Sequence, residues 1–217
     1  MPLDAPEPRF ERLDQLFAAL EGLRGDPLAV HGTRVVICRG NPAARLMLIG
    51  EAPGAEEDRL GQPFVGRSGQ LLDQILRAAG LDPALDVFVT NSVYRRPPDN
   101  RKPTPDEVAW YRPYLREMVR LVDPPIILLV GGVAALAVLG EKRGITQIRG
   151  RWFDWEGRKV MPIFHPAYLL RNQARTPGSP KALTWQDIQE VRRVWDGQST
   201  AGGPGLPGPG VPESGLG

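Results

Sequence analysis

The chain has 217 residues, 41% apolar and 24% charged, the balance of a globular protein with one proper core. Its 27 basic and 25 acidic residues leave a formal charge of +2, which excludes a polybasic tail, and its single cysteine excludes an internal disulfide or an all-cysteine metal site. No stretch approaches the length of a membrane span, and MPLDAPEPRFERL lacks the basic head and apolar core of a secretory signal, so a cytoplasmic protein with no membrane partner is expected.

In chain order, Phe10, Leu13, Leu16, Phe17 and Leu20 form a helical stripe within residues 9–23. Residues 24–44 read as irregular around the run TRVVIC. ARLMLIG (44–50) is a short buried strand, and GQLLDQILRAAG (69–80) has helical spacing and stops at a glycine. DVFVTNSV (86–93) is a second strand; the prolines of RRPPDNRKPTP (95–105) then force a loop. TPDEVAWYRPYLREMVRLV (104–122) opens as a helix with Thr104 as N-cap and Pro105 at its first position, and a kink is expected at Pro113. PIILLVG (125–131) is a third buried strand and GVAALAVLG (132–140) a short helix. WFDWEGRKVMPIF (152–164) reads as a hairpin turning at Glu156-Gly157, followed by a strand ending at Phe164, and LTWQDIQEVRRVW (183–195) is a closing helix. The Gly/Pro-rich stretch 196–217 is expected to be a disordered tail, leaving 1–195 as the folded domain.

Strands alternating with helices argue an α/β fold with a largely parallel sheet, whose ligand sites lie beyond the carboxyl ends of the strands. Three segments follow strands in this way: 51–66, 91–101 and 165–171. The first contains neither GxGxxG nor GxxxxGK[ST], so the nucleotide-cofactor motifs fail. It does offer Glu51, with Gly50 and Gly54 to let backbone approach a ligand, and Phe64, either a core residue or a plate for a flat ligand. In the second, the Asn91 amide presents a donor and an acceptor side by side, suited to capping a turn or to reading a base edge. The third holds His165, one of two histidines, followed by Tyr168, Leu169 and Leu170, apolar residues costly in an exposed turn unless they touch something.

No nucleophile–His–Asp triad is apparent, and two histidines with one cysteine give little support to a zinc site. A carboxylate, an aromatic plate, an Asn, a His and an apolar wedge together suit extrusion of a base from DNA. Basic residues at 95–96, 101–102, 142–143, 149–151 and 171–175, on a near-neutral body, suit phosphate contact or a solvated surface.

The motifs GEAPGAEED, GQPFVG, TNSVYRRPPDNRKPTPDE and FHPAYLLRNQARTPGSPKALTWQDIQEV resemble those of the family 4 uracil-DNA glycosylases, over about residues 8–195. The resemblance implies a three-layer α/β sandwich with a central four-stranded, largely parallel sheet flanked by helices. It also implies hydrolysis of the bond between uracil and deoxyribose in single- or double-stranded DNA, by a monomer. Carried over residue by residue, Glu51 positions or activates the attacking water, Phe64 stacks on the base, Asn91 reads uracil, and His165 holds the charge developing on uracil O2. Glu57 blocks the 5-methyl of thymine, with Gly50 and Gly54 beside the substrate. Leu169, Leu170 and Arg171 fall in the loop that enters the minor groove, and Ser179 lies in a turn resembling the family's phosphate clamp. Arg101 falls about where a branch that traps DNA covalently carries a histidine, and is expected at the DNA.

These roles fit the chemistry. Glycosidic cleavage builds positive charge on the sugar and negative charge on the departing base; a carboxylate beneath the one and a donor at O2 of the other stabilise both. An Asn amide donates to uracil O4 and accepts from N3–H, whereas cytosine presents the reverse pattern, and such a site rejects the wrong partner by roughly 10⁴. No lysine is placed for a Schiff base, so a monofunctional enzyme is expected.

Family 4 members hold a four-iron iron–sulfur cluster on four cysteines. Those positions fall here at Leu23, Asp26, Arg95 and Tyr111, and Cys38 is not among them, so no cluster and no other metal or cofactor is expected. Ligands of one cluster are neighbours, so their substitutes should be too, with Asp26 paired to Arg95 within about 4 Å. Two other readings stand beside this one: a non-catalytic DNA-binding relative, and a glycosylase for another deaminated base such as hypoxanthine. Glu51, Asn91 and His165 together argue against the first, and Asn91 favours uracil over the second.

Overall fold

The computed structural model describes residues 8–199. In chain order the elements are α1 (Leu13–Glu21), β1 (Cys38–Gly40), β2 (Leu46–Gly50), α2 (Ala55–Leu60), α3 (Arg67–Ala78), β3 (Val87–Asn91), α4 (Pro105–Val122) and β4 (Ile126–Val130). They are followed by α5 (Gly132–Leu139), α6 (Ile145–Ile148), β5 (Phe153–Trp155), β6 (Arg158–Ile163), α7 (Pro166–Arg171) and α8 (Pro180–Ser199).

The three uninterrupted apolar runs become β2, β3 and β4, and every residue of each is buried. Strands covered on both faces need such runs rather than alternation. The sheet has six strands in the order β1-β3-β2-β4-β6-β5. Its four inner strands, β3, β2, β4 and β6, are parallel, and an antiparallel strand closes each edge. The four-stranded sheet expected from the resemblance is therefore the inner part of a six-stranded one. The segment that had read as irregular holds β1, a three-residue piece of Cys-Arg-Gly that takes only the last residue of the run TRVVIC.

Side chains alternate across the sheet and build two cores. Met47, Ile49, Phe88, Ile127 and Leu129 face α1, α4 and α5 through Leu16, Leu20, Leu115 and Ala135. Leu46, Leu48, Val87, Val89 and Leu128 face α3 and α8 through Leu72, Leu76, Ile188 and Val191. The result is the expected three-layer sandwich.

Several boundaries move. The acidic stretch expected as loop forms α2, and the segment after His165 forms α7. Thr104 caps α4 as expected, accepting from Glu107 N at 3.2 Å while Thr104 N donates to Glu107 at 2.8 Å, and the helix runs on through Pro113 for 18 residues. The closing helix continues past Trp195 to Ser199, four residues into the expected tail; the rest of that tail lies outside the described residues.

The four positions assigned to cluster cysteines are indeed neighbours. Arg95 Nε donates to Asp26 Oδ2 at 2.9 Å, and the Tyr111 hydroxyl donates to Asp26 Oδ1 at 2.5 Å. Leu28 N adds a third bond to that carboxylate at 3.2 Å. The remaining guanidinium nitrogens reach the carbonyls of Leu23, at 3.1 Å, and Thr33. Asp26 is 3% exposed and Tyr111 fully buried, while Leu23 packs half-buried against the core beside them. Burial and the adjacent Asp26 carboxylate both push the Tyr111 phenol up, so it stays a donor. Among the described residues no group of three His, Cys, Asp or Glu side chains is arranged to hold a metal. Nor is any described helix long and apolar enough to cross a membrane.

Candidate active site

The parallel inner strands deliver three segments to one edge of the sheet. Gly50 and Asn91 are register partners at the ends of β2 and β3. The Gly50 carbonyl accepts from Ser92 N at 2.9 Å and from Ser92 Oγ at 2.7 Å, which locks the two strand ends together. Gly50 lies directly against both side chains: a Cβ there would stand 2.4 Å from Asn91 Oδ1 and 2.5 Å from two ring carbons of Phe64. Only glycine lets the amide and the ring close over the strand in this way.

Asn91 is 2% exposed, yet its side-chain amide bonds to no described residue. Asn91 lines the cavity, where an amide without a protein partner is free to bond a ligand. The Phe64 ring is buried beside it, 6.0 Å between centroids from the His165 ring and tilted 31° to it.

His165 follows β6 and caps α7, its Nδ1 accepting from Ala167 N at 3.1 Å. Nδ1 is therefore the unprotonated nitrogen, and the neutral ring carries its proton on Nε2. Burial drives the imidazole pKa down to about 4, aided by the Arg171 charge and opposed by the Glu57 carboxylate, so the ring is neutral at physiological pH. Gly131, at φ 96°, passes behind it, where a Cβ would lie 3.3 Å from that of His165.

Glu51 is half-buried and hydrogen-bonds to no described side chain through its carboxylate. Burial raises its pKa, and the Lys102 charge acts against that rise. Glu51, Phe64, Asn91, Lys102, His165 and Arg171 all line one cavity of about 640 Å³, ample for a nucleoside. The cavity thus offers an unpaired amide, an aromatic plate, a neutral imidazole donor and a free carboxylate.

The family described as uracil DNA glycosylase superfamily matches residues 38–189. The type-4 uracil-DNA glycosylase of Thermotoga maritima is 41% identical over 168 residues, 76% of this chain and 85% of that protein. That of Sulfurisphaera tokodaii is 37% identical over 171 residues, 75% of each chain. The type-5 uracil-DNA glycosylase of Thermus thermophilus is 34% identical over 200 residues, 83% of this chain and 88% of that one. The chain belongs to the uracil DNA glycosylase superfamily.

The other residues that the glycosylase resemblance singled out meet different fates. Glu57 lines the cavity, but its carboxylate is fully engaged, accepting from Gly54 N at 3.1 Å, Val65 N at 3.0 Å and Gly66 N at 2.8 Å. It clasps the start of α2 to the segment entering α3. Gly54 also lines the cavity, and a Cβ added there would stand 2.8 Å from Glu57 Oε2.

Leu169 is 1% exposed and faces away from the cavity; Leu170 is half-buried, and Arg171 alone of the three is exposed. The expected exposed turn is a helix, and consecutive residues on a helix point in different directions. Leu169 is thus corrected to a core residue, and Leu170 and Arg171 are the two of the three that remain accessible. Ser179 is 8% exposed and caps α8, with Oγ 3.4 Å from Ala182 N. Arg101 reaches the cavity wall but is held in a two-pronged pair with Glu107, at 2.8 and 2.6 Å.

Other basic clusters are also consumed: Arg95 by Asp26, Arg143 by Glu141 and Arg149 by Asp187. Lys102 and Arg171 keep no ion-pair partner among the described residues, and both stand at the cavity. Lys102 was visible in sequence only as part of a basic pair; the loop after β3 brings it to the cavity with Glu51, which corrects the expectation that no lysine stands at the site.

Proposed function

We propose that the chain is a monofunctional uracil-DNA glycosylase, hydrolysing the N-glycosidic bond of uracil in DNA to leave an abasic site. The observation that carries the reading is the Asn91 amide, without a described hydrogen-bond partner and lining the same cavity as the Phe64 ring. In this reading the extruded base stacks on Phe64. Asn91 Nδ2 donates to uracil O4 and Oδ1 accepts from N3–H. The C1′–N1 bond breaks with its electron pair going to the base, and His165 Nε2–H donates to O2, where that charge collects. Ionised Glu51 holds the water whose oxygen bonds to C1′, accepts the proton that water releases, and faces the cationic sugar, while uracil leaves as the anion. Lys102 and Arg171 at the cavity mouth, and Leu170 beside Arg171, are the candidates for strand contact. The protein is read as a cytoplasmic monomer acting on uracil in single- or double-stranded DNA.

The iron–sulfur cluster implied by the family resemblance does not fit these residues. A carboxylate, a guanidinium, a phenol and an aliphatic chain offer no thiolate, and the first three already satisfy one another. No step above runs through a cluster, and the Asp26–Arg95–Tyr111 network is read as its structural replacement.

Asn91→Asp tests the base-reading role. A carboxylate cannot donate to O4, and loss of such a contact costs roughly 10⁴ in discrimination. The uracil-to-cytosine ratio of excision rates is expected to collapse. An unaltered ratio would remove Asn91 from base recognition.

A further inference from the structure

Phe64 adopts φ 56°, whereas the other four described non-glycine residues with positive φ are Asp, Asn or Glu. For a bulky side chain that conformation is an outlier and persists only when its surroundings impose it. The neighbouring backbone imposes it. The amides that follow Phe64, those of Val65 and Gly66, donate to Glu57. The Phe64 carbonyl lies on Gly69, where a Cβ would stand 1.8 Å from the oxygen.

The peptide that precedes Phe64 is held by a residue outside the cavity lining. Arg39, on the edge strand β1, donates from Nε to Pro63 O at 2.9 Å. Its Nη2 binds Asp73 Oδ1 on α3 at 2.6 Å and passes 3.5 Å from Phe64 O. The Arg39 and Asp73 side chains are only 15% and 19% exposed, so the pair is partly screened from water. β1 is fixed in turn by its register with β3, where Arg39 faces Val89, two residues before Asn91. One rigid strand therefore bears on both the base-reading amide and the loop carrying the plate.

We propose that Arg39, anchored by Asp73, is a positioning residue for Phe64, fixing the ring against Gly50 and beside Asn91 in the orientation a stacked base needs. The proposal rests on the reading that Phe64 stacks on the base. The geometry assigns Arg39 no contact with substrate, so its effect must pass through the ring.

The test is a double-mutant cycle on the full chain, reading kcat/KM on a uracil-containing oligonucleotide and inhibition by free uracil. Misplacing a positioned group by an ångström costs up to about 100-fold, so Arg39→Ala is expected to lower kcat/KM by about 10- to 100-fold and to weaken uracil inhibition. Arg39→Lys keeps a charge for Asp73 but loses the fork that reaches Pro63, and is expected to fall between Arg39→Ala and wild type while keeping the wild-type melting temperature. In a Phe64→Ala background either change is expected to have no further effect. A full Arg39 effect in that background, or unchanged uracil inhibition in both Arg39 variants, would overturn the proposal. A Phe64→Ala enzyme of wild-type activity would overturn the stacking assignment itself, and the positioning role with it.

Discussion

Glu51→Gln is expected to lower uracil release by about 10²- to 10⁴-fold while leaving DNA affinity close to that of wild type. The substitution keeps the shape of the side chain and removes its charge. No described residue bonds to the carboxylate, so little of the surrounding structure depends on it. What is lost is the group that holds water and faces the sugar as positive charge builds there. The pH profile gives a second readout. Burial raises the Glu51 pKa above the ordinary carboxylate value, and the ionised form is the active one. Wild-type turnover should therefore fall as pH drops through that raised pKa. His165 remains neutral down to about pH 4, so the limb above that point belongs to the carboxylate. Single-turnover rates across acidic pH check both points: the variant should be slow throughout and lack this limb. Wild-type turnover in the variant would remove Glu51 from the chemistry.

Asp26→Ala is expected to cost about 3–5 kcal/mol of stability, because removing one partner of a buried ion pair leaves the other uncompensated. The Asp26 side chain is fully buried and that of Arg95 is 11% exposed, so solvent does little to relieve the loss. The Tyr111 hydroxyl loses its acceptor at the same time, and the segment around Leu23 and Thr33 stays tied to the guanidinium only through two carbonyls. Asp26→Asn keeps an acceptor for Tyr111 and should cost less. Urea unfolding of the three proteins, with and without iron and sulfide, measures this. A loss below about 1 kcal/mol, the value of an exposed pair, would show that the network does not carry the fold.

The two expectations drew on different kinds of legibility. Glu51, Asn91 and His165 were readable because each stands at or just past the carboxyl end of an apolar strand, and parallel strands bring those ends together without further information. The inner sheet was readable for the same reason, being written in runs such as LMLIG and IILLV. β1 was not, because Cys-Arg-Gly carries no periodicity and forms a strand only by pairing with β3. α2 looked like a loop because its acidic residues suit solvent; Glu57 there turns inward to backbone amides, a contact that sequence spacing does not announce.

The basic clusters were the least legible. Arg95 finds its acid 69 residues away and Arg149 finds Asp187 at a separation of 38, so neither could be told from a phosphate-binding side chain along the chain. Leu169 and Leu170, adjacent and chemically alike, part company only because the segment is helical. The pairing of Asp26 with Arg95 is the exception: a long-range contact was anticipated because four positions of one site must remain neighbours whatever occupies them.

Release of free uracil from a uracil-containing oligonucleotide, by folded protein whose iron content has been measured as nil, tests the central claim most directly. The expected result is one uracil released per abasic site, with strand breaks appearing only after alkali. Iron-free, folded protein that releases no uracil would contradict it.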